Sequence, residues 1–163
     1  MELSTSIEQL ESSAIFKDWR ISHTDSFLAH AFVMFDEANA DIWQLGFFSE
    51  QNNLMTTFLV EKTEIKIIPD QEVLKSDAAI LPLKVADVRI SSLEAMHKAQ
   101  NVLKKEYSAE LPLKVFFILQ QLKDGAIYNV TFFTKSFKTV NVKVSAVDGS
   151  IIHYSLSSLA DFS

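Results

Sequence analysis

The chain has 163 residues, 48% hydrophobic, 11% aromatic and 22% charged, a balance that builds a globular core and excludes disorder. It contains no cysteine, which removes disulfides, thiolate metal sites and cysteine nucleophiles and fits a reducing compartment, so a cytoplasmic location is expected. A net charge of −6 opposes phosphate backbones and no apolar run approaches the roughly 18 residues of a membrane helix, so neither nucleic acid nor membrane is expected as a partner.

The opening residues, Met1 to Glu8, have neither a basic start nor an apolar run, which reads as the absence of an export signal. A helix is predicted over residues 6–20, where Ile7, Leu10 and Ala14 share a stripe and Thr5 with Glu8 forms a capping box. Residues 27–35 read as an apolar strand interrupted by His30. Trp43-Gln44-Leu45-Gly46-Phe47-Phe48 and then Met55, Thr57 and Leu59 continue at period two. Residues 69–89, with Pro69-Asp70, Lys75-Ser76-Asp77 and Pro82, read as a linker holding a short strand near residues 83–90.

Beyond the linker, Leu93, Met96, Ala99, Val102 and Leu103 recur at helical spacing over residues 92–106, behind a second capping box of Ser91 and Glu94. Leu113, Val115, Phe117 and Leu119 then alternate with Lys114, Phe116, Ile118 and Gln120, the pattern of a half-buried strand. Further strands run through Tyr128, Val130 and Phe132, through Val140, Val142 and Val144, and through Ile151, Ile152 and Tyr154. Asp148-Gly149 is expected to close the last hairpin with positive φ at both positions.

The two halves repeat each other. Ile42-Trp43-Gln44-Leu45-Gly46-Phe47-Phe48-Ser49 aligns without gaps on Ile127-Tyr128-Asn129-Val130-Thr131-Phe132-Phe133-Thr134, an offset of 85, and one slipped residue sets Thr5 and Glu8 opposite Ser91 and Glu94. The expected fold is therefore α+β: two repeated units, each a helix packed on an antiparallel sheet of about four strands, over residues 1–68 and 90–163. Their sheets either join edge to edge or pack face to face.

The second half resembles the PepSY-like family in Ser92-Leu93-Glu94, in Tyr128-Asn129-Val130-Thr131-Phe132 and in the closing stretch from Val142 to Ile151, with the first half similar more faintly through Trp43-Gln44-Leu45-Gly46-Phe47. The family's Asp before Ala is Ser145 here, and Glu64 stands where a hairpin glycine would. The resemblance implies a helix-on-sheet binding or inhibitory module, often linked to peptidases, with no catalytic residues to carry over. In outline the tandem also looks like β-lactamase inhibitory proteins, which bind their targets on a concave sheet.

No residue cluster carries a reaction. His23, His30, His97 and His153 lie far apart in the sequence, without zinc spacing; Asp36-Glu37 and Asp41 cluster at a turn without calcium-loop spacing; three glycines make no phosphate loop. His30 reads as a hydrogen-bonded buried or edge histidine. No enzyme activity, metal or cofactor is expected.

One pattern exceeds ordinary packing. If Trp43, Leu45 and Phe47 face a helix, Phe48 faces away, and the same alternation turns Phe116, Ile118 and Phe133 outward, where a half-buried sheet is normally polar. These four are the candidate binding residues, covered by the other copy, a protein partner or a second subunit. The leading expectation is a protein-binding or regulatory module. The alternatives are a small-molecule binder or enzyme with a pocket between helix and sheet, lined by His30 or the Asp36 region, and a structural homo-oligomer.

Overall fold

In the computed structural model, which describes residues 1–74 and 78–158, the alternating segments form one antiparallel sheet. Its strands are β1 (Phe27–Met34), β2 (Trp43–Ser49), β3 (Leu54–Val60), β4 (Ile65–Glu72), β5 (Pro112–Leu122), β6 (Gly125–Thr134), β7 (Lys138–Ser145) and β8 (Ile151–Ser158). The spatial order is β4-β3-β2-β1-β5-β6-β7-β8. Hairpins join neighbours within each half, and the halves meet where β1 pairs antiparallel with β5, Ala31 opposite Leu119 and Phe32 opposite Ile118. Of the two arrangements open from the sequence, edge-to-edge joining is the one found, and the sheets do not cover each other face to face.

Helices α1 (Leu3–Ser12), α2 (Ala14–Ile21) and α3 (Ser92–Glu106) supply the apolar stripes. The single helix expected over residues 6–20 is two. Ser13 is extended at ψ 148°, it ends α1, and its hydroxyl accepts from the Phe16 amide at 3.3 Å to start α2. A Ser-Ser pair favours this, because serine hydroxyls bond nearby backbone groups better at caps than inside helices. The Thr5 capping box is also corrected: α1 starts at Leu3 behind an uncapping Glu2, whereas Ser91 does accept from the Glu94 amide at 3.1 Å.

The core lies on the helix side. Phe16 and Trp19 of α2 meet Phe47 and Phe58 at ring separations of 5.2–5.5 Å. Ala95, Ala99 and Leu103 of α3 join one buried cluster with Val130, Val140, Val142 and Val144. Phe117, fully buried on β5, bridges the halves by edge contacts to Trp43 at 5.7 Å and Tyr128 at 5.2 Å. Each such large apolar side chain contributes about 1.5–3 kcal/mol by leaving water.

Three connections differ from expectation. β4 runs through Pro69 to Glu72, which an edge strand tolerates because an edge amide needs no ladder partner. Residues 83–90 form no strand but a 3-10 turn, Val85–Asp87, anchored by Leu83 donating to the Leu28 carbonyl at 2.8 Å and by Arg89 and Ile90 donating to Ala146. The Asp148-Gly149 turn is longer than two residues and only Gly149 has positive φ, at 76°, because Ser145 and Ser150 close it. Lys75-Ser76-Asp77 and residues 159–163 lie outside the described residues.

Candidate binding face

The helix-free face of the sheet follows from pleat and register. Because Trp43, Leu45 and Phe47 point into the core, Gln44, Gly46 and Phe48 point away, and register carries this to His30 and Phe32 on β1, Met55 and Thr57 on β3, and Phe116, Ile118 and Gln120 on β5. A bulge between Leu28 and His30 adjusts β1 so that His30 stands directly opposite Gly46 on one side and Gln120 on the other.

Gly46 makes room for the His30 ring. A methyl group placed there would sit 2.5 Å from His30 Nε2 and 2.7 Å from Nδ1, closer than atoms pack. Burial of the ring pushes its pKa down, so the imidazole is neutral at pH 7. Among the described residues no hydrogen bond reaches either ring nitrogen, which corrects the expectation of a hydrogen-bonded histidine.

Around that ring lie two hollows. One, of about 270 Å³, is lined by His30, Phe32, Gln44, Thr57, Ile118 and Gln120. The other, of about 340 Å³, shares His30 and Gln120 and is closed by Met55 and the connecting residues 78–81. Apolar side chains flank neutral amides and a hydroxyl, and among the described residues no charged side chain lines either hollow. The arrangement can accept apolar groups and offer hydrogen bonds.

The four sequence candidates separate. Phe116 and Ile118 are half-buried neighbours on this face, and Phe116 meets Phe32 at 5.6 Å. Phe48 is on the same face but only 6% exposed, packed edge-on against Phe27 at 5.8 Å, so it is structural and not a surface contact. Phe133 stands at the end of β6, half-buried and 6.4 Å from Phe137. Sequence reasoning missed Phe32, Gln44, Thr57 and Gln120. Only the register, which sets them around His30, could have signalled them, with a glycine in an aromatic strand as its trace.

Elsewhere the candidate chemistry has local uses. Asp36 accepts from the amides of Ala38 and Asn39 and from the Asn39 side chain, and Asp41 pairs with the chain's amino terminus and Lys62. The hollow between helix starts and sheet is about 200 Å³, smaller than the roughly 300 Å³ at which ligand sites begin. Its aromatic tips are occupied, Trp43 Nε1 donating to the Met1 carbonyl and Tyr128 OH to the Ile90 carbonyl, each at 2.8 Å. No group of three metal-ligating side chains is found among the described residues.

No protein-family model matches the chain, and no curated protein matches it. Among solved structures, a "putative lipoprotein" from Clostridium difficile 630 is similar over 88% of this chain and 90% of its own, with a TM-score of 0.56 and 12% identity. The likeness is one of fold. It leaves the PepSY-like resemblance unconfirmed. No helix among the described residues is long and apolar enough to cross a membrane.

Proposed function

We propose that this chain is a non-catalytic protein-binding or regulatory module, inhibitor-like in its use of a sheet surface, and that it binds through the helix-free face around His30, Phe32, Phe116 and Ile118. The observation that carries the reading is the half-buried aromatic and aliphatic cluster on a face that no helix covers, uncharged at its centre.

A duplicated, PepSY-like origin goes with it. In its support, Trp43 and Tyr128 hold aligned positions, and each donates to the carbonyl of the residue just before its helix's N-cap. A cytoplasmic location is favoured by the absence of cysteine, while the neighbour's description as a lipoprotein points to a membrane surface; fractionation of the native cell separates the two.

The test is capture from native lysate on immobilised protein, wild type beside Phe116→Ser and Ile118→Ser, then hydrogen exchange on the complex with the purified partner. The expected result is a protein retained by wild type, lost from both variants, that protects β1, β2 and β5. Equal retention by the variants, or protection confined to the helices, refutes the reading. A second reading, a small-molecule site, is favoured by the unbonded His30 nitrogens between two hollows. Native mass spectrometry of the isolated protein, with a bound mass lost in His30→Ala, distinguishes it.

A further inference from the structure

The β6–β7 connection is the three-residue loop Lys135-Ser136-Phe137, in which Phe137 donates to the Thr134 carbonyl at 3.1 Å and adopts φ 58°. That left-handed position in a three-residue hairpin calls for glycine, and a bulky residue there is an outlier. Phe137 is nonetheless 67% exposed. Its ring contact with Phe133, at 6.4 Å, leaves most of the residue in water, so packing offsets little of that strain.

Phe137 is not alone at this end of the molecule. Lys135 donates to the Leu111 carbonyl at 2.9 Å, which places beside it Leu111 and Leu113, 55% and 54% exposed. Residues 104–114 and 135–138 carry five lysines and two glutamates, a local positive excess in a chain of net charge −6. Glu110 is spent on Lys138 at 3.3 Å and on Ser136, while Lys104, Lys105, Lys114 and Lys135 form no ion pair among the described residues. The chain's acidity, which argues against anionic partners taken as a whole, is absent here.

We infer that this end, led by Phe137 and flanked by lysines, docks on an anionic membrane surface. The basic charges match acidic headgroups, and the two leucines and the ring supply apolar groups that bury at the headgroup boundary. The basic residues are all lysines. Protein interfaces are depleted in lysine and use arginine, whereas lysine stems lie along apolar surface and keep their charge at the headgroups. The site lies at a hairpin end, between β6 and β7, and it is separate from the binding face at His30.

The experiment is co-sedimentation of the full chain with phosphatidylcholine vesicles, with and without a one-third share of phosphatidylglycerol. Wild type is expected to bind only the anionic vesicles and to be released by high salt. Lys135→Gln and Lys114→Gln are each expected to weaken binding roughly five-fold. Phe137→Gly is expected to weaken it at least as much while keeping or raising the melting temperature, because glycine suits the turn. Absence of binding to anionic vesicles, or binding unchanged in the variants, overturns the inference. So does a wild-type dimer, lost in Phe137→Gly, without vesicle binding, which would make this end a contact between copies.

Discussion

Gly46→Ala isolates the contact on which the His30 hollows depend. In most strand positions this change stabilises by about 0.4–1 kcal/mol, because alanine restricts the unfolded chain. Here the added methyl falls 2.5 Å from His30 Nε2 and 2.7 Å from Nδ1, so the ring must leave its seat or β1 and β2 must separate. Overpacking of this kind costs about 1–3 kcal/mol. The sign therefore depends on His30. In a His30→Ala background the same methyl meets no ring, and Gly46→Ala is expected to be neutral or stabilising, giving a coupling of about 1–3 kcal/mol between the two sites. Urea unfolding of the four proteins of the cycle measures it, and in a chain of this size each kcal/mol also moves the melting temperature by about 2–4 °C. A destabilisation below about 0.5 kcal/mol in Gly46→Ala, or additivity in the double variant, would show that the imidazole is not held over the glycine.

Two further outcomes follow from the same packing. Burial lowers the His30 pKa in the folded protein, so protons favour the unfolded chain: stability is full above the unfolded value near 6.5 and falls as pH drops from there toward the folded pKa. The His30 share of that fall, at most about 1.4 kcal/mol per pH unit, is expected to vanish in His30→Asn when urea midpoints at pH 7.5 and 5.5 are compared. Trp19 Nε1 is buried with no hydrogen-bond partner among the described residues, so Trp19→Phe keeps most of the ring packing and sheds an unpaired donor. It is expected to change stability by less than about 1 kcal/mol, against about 3–5 kcal/mol for Trp19→Ala, both read from denaturant curves.

Strand positions were legible because side-chain alternation is a local property: Val115, Phe117 and Leu119 reach the core in the phase read from the sequence. Local chemistry also placed the Ser91 cap correctly. It misled at Thr5, where the same capping spacing occurs one turn inside α1, and at residues 6–20, where the apolar stripe continues across a break that only the Ser13 backbone reveals. The face of Phe48 was readable and its burial was not, since that depends on Phe27 of the neighbouring strand. Register is a long-range property. Without it, His30 and Gly46 remain two unrelated oddities sixteen residues apart, and Gln44, Thr57 and Gln120 carry no signal at all.

The helix-free face is not uniform, and its division bears on where a partner can sit. Over the middle of β6 and β7 it is polar and satisfied: Asn141 donates to the side chains of Asn129 and Thr131, so these groups gain little from a second surface. Over β1 and β5 it is apolar, with His30, Gln44 and Gln120 left to hydrogen-bond beyond the sheet. That difference lies in the side chains at equivalent outward positions: β1 and β5, paired at the junction, carry Phe32, Phe116 and Ile118, where β6 and β7 carry Asn129, Thr131 and Asn141. A partner seated there gains apolar burial from both halves at once, so separating the halves should abolish binding even if each half were to keep its own strands and helices.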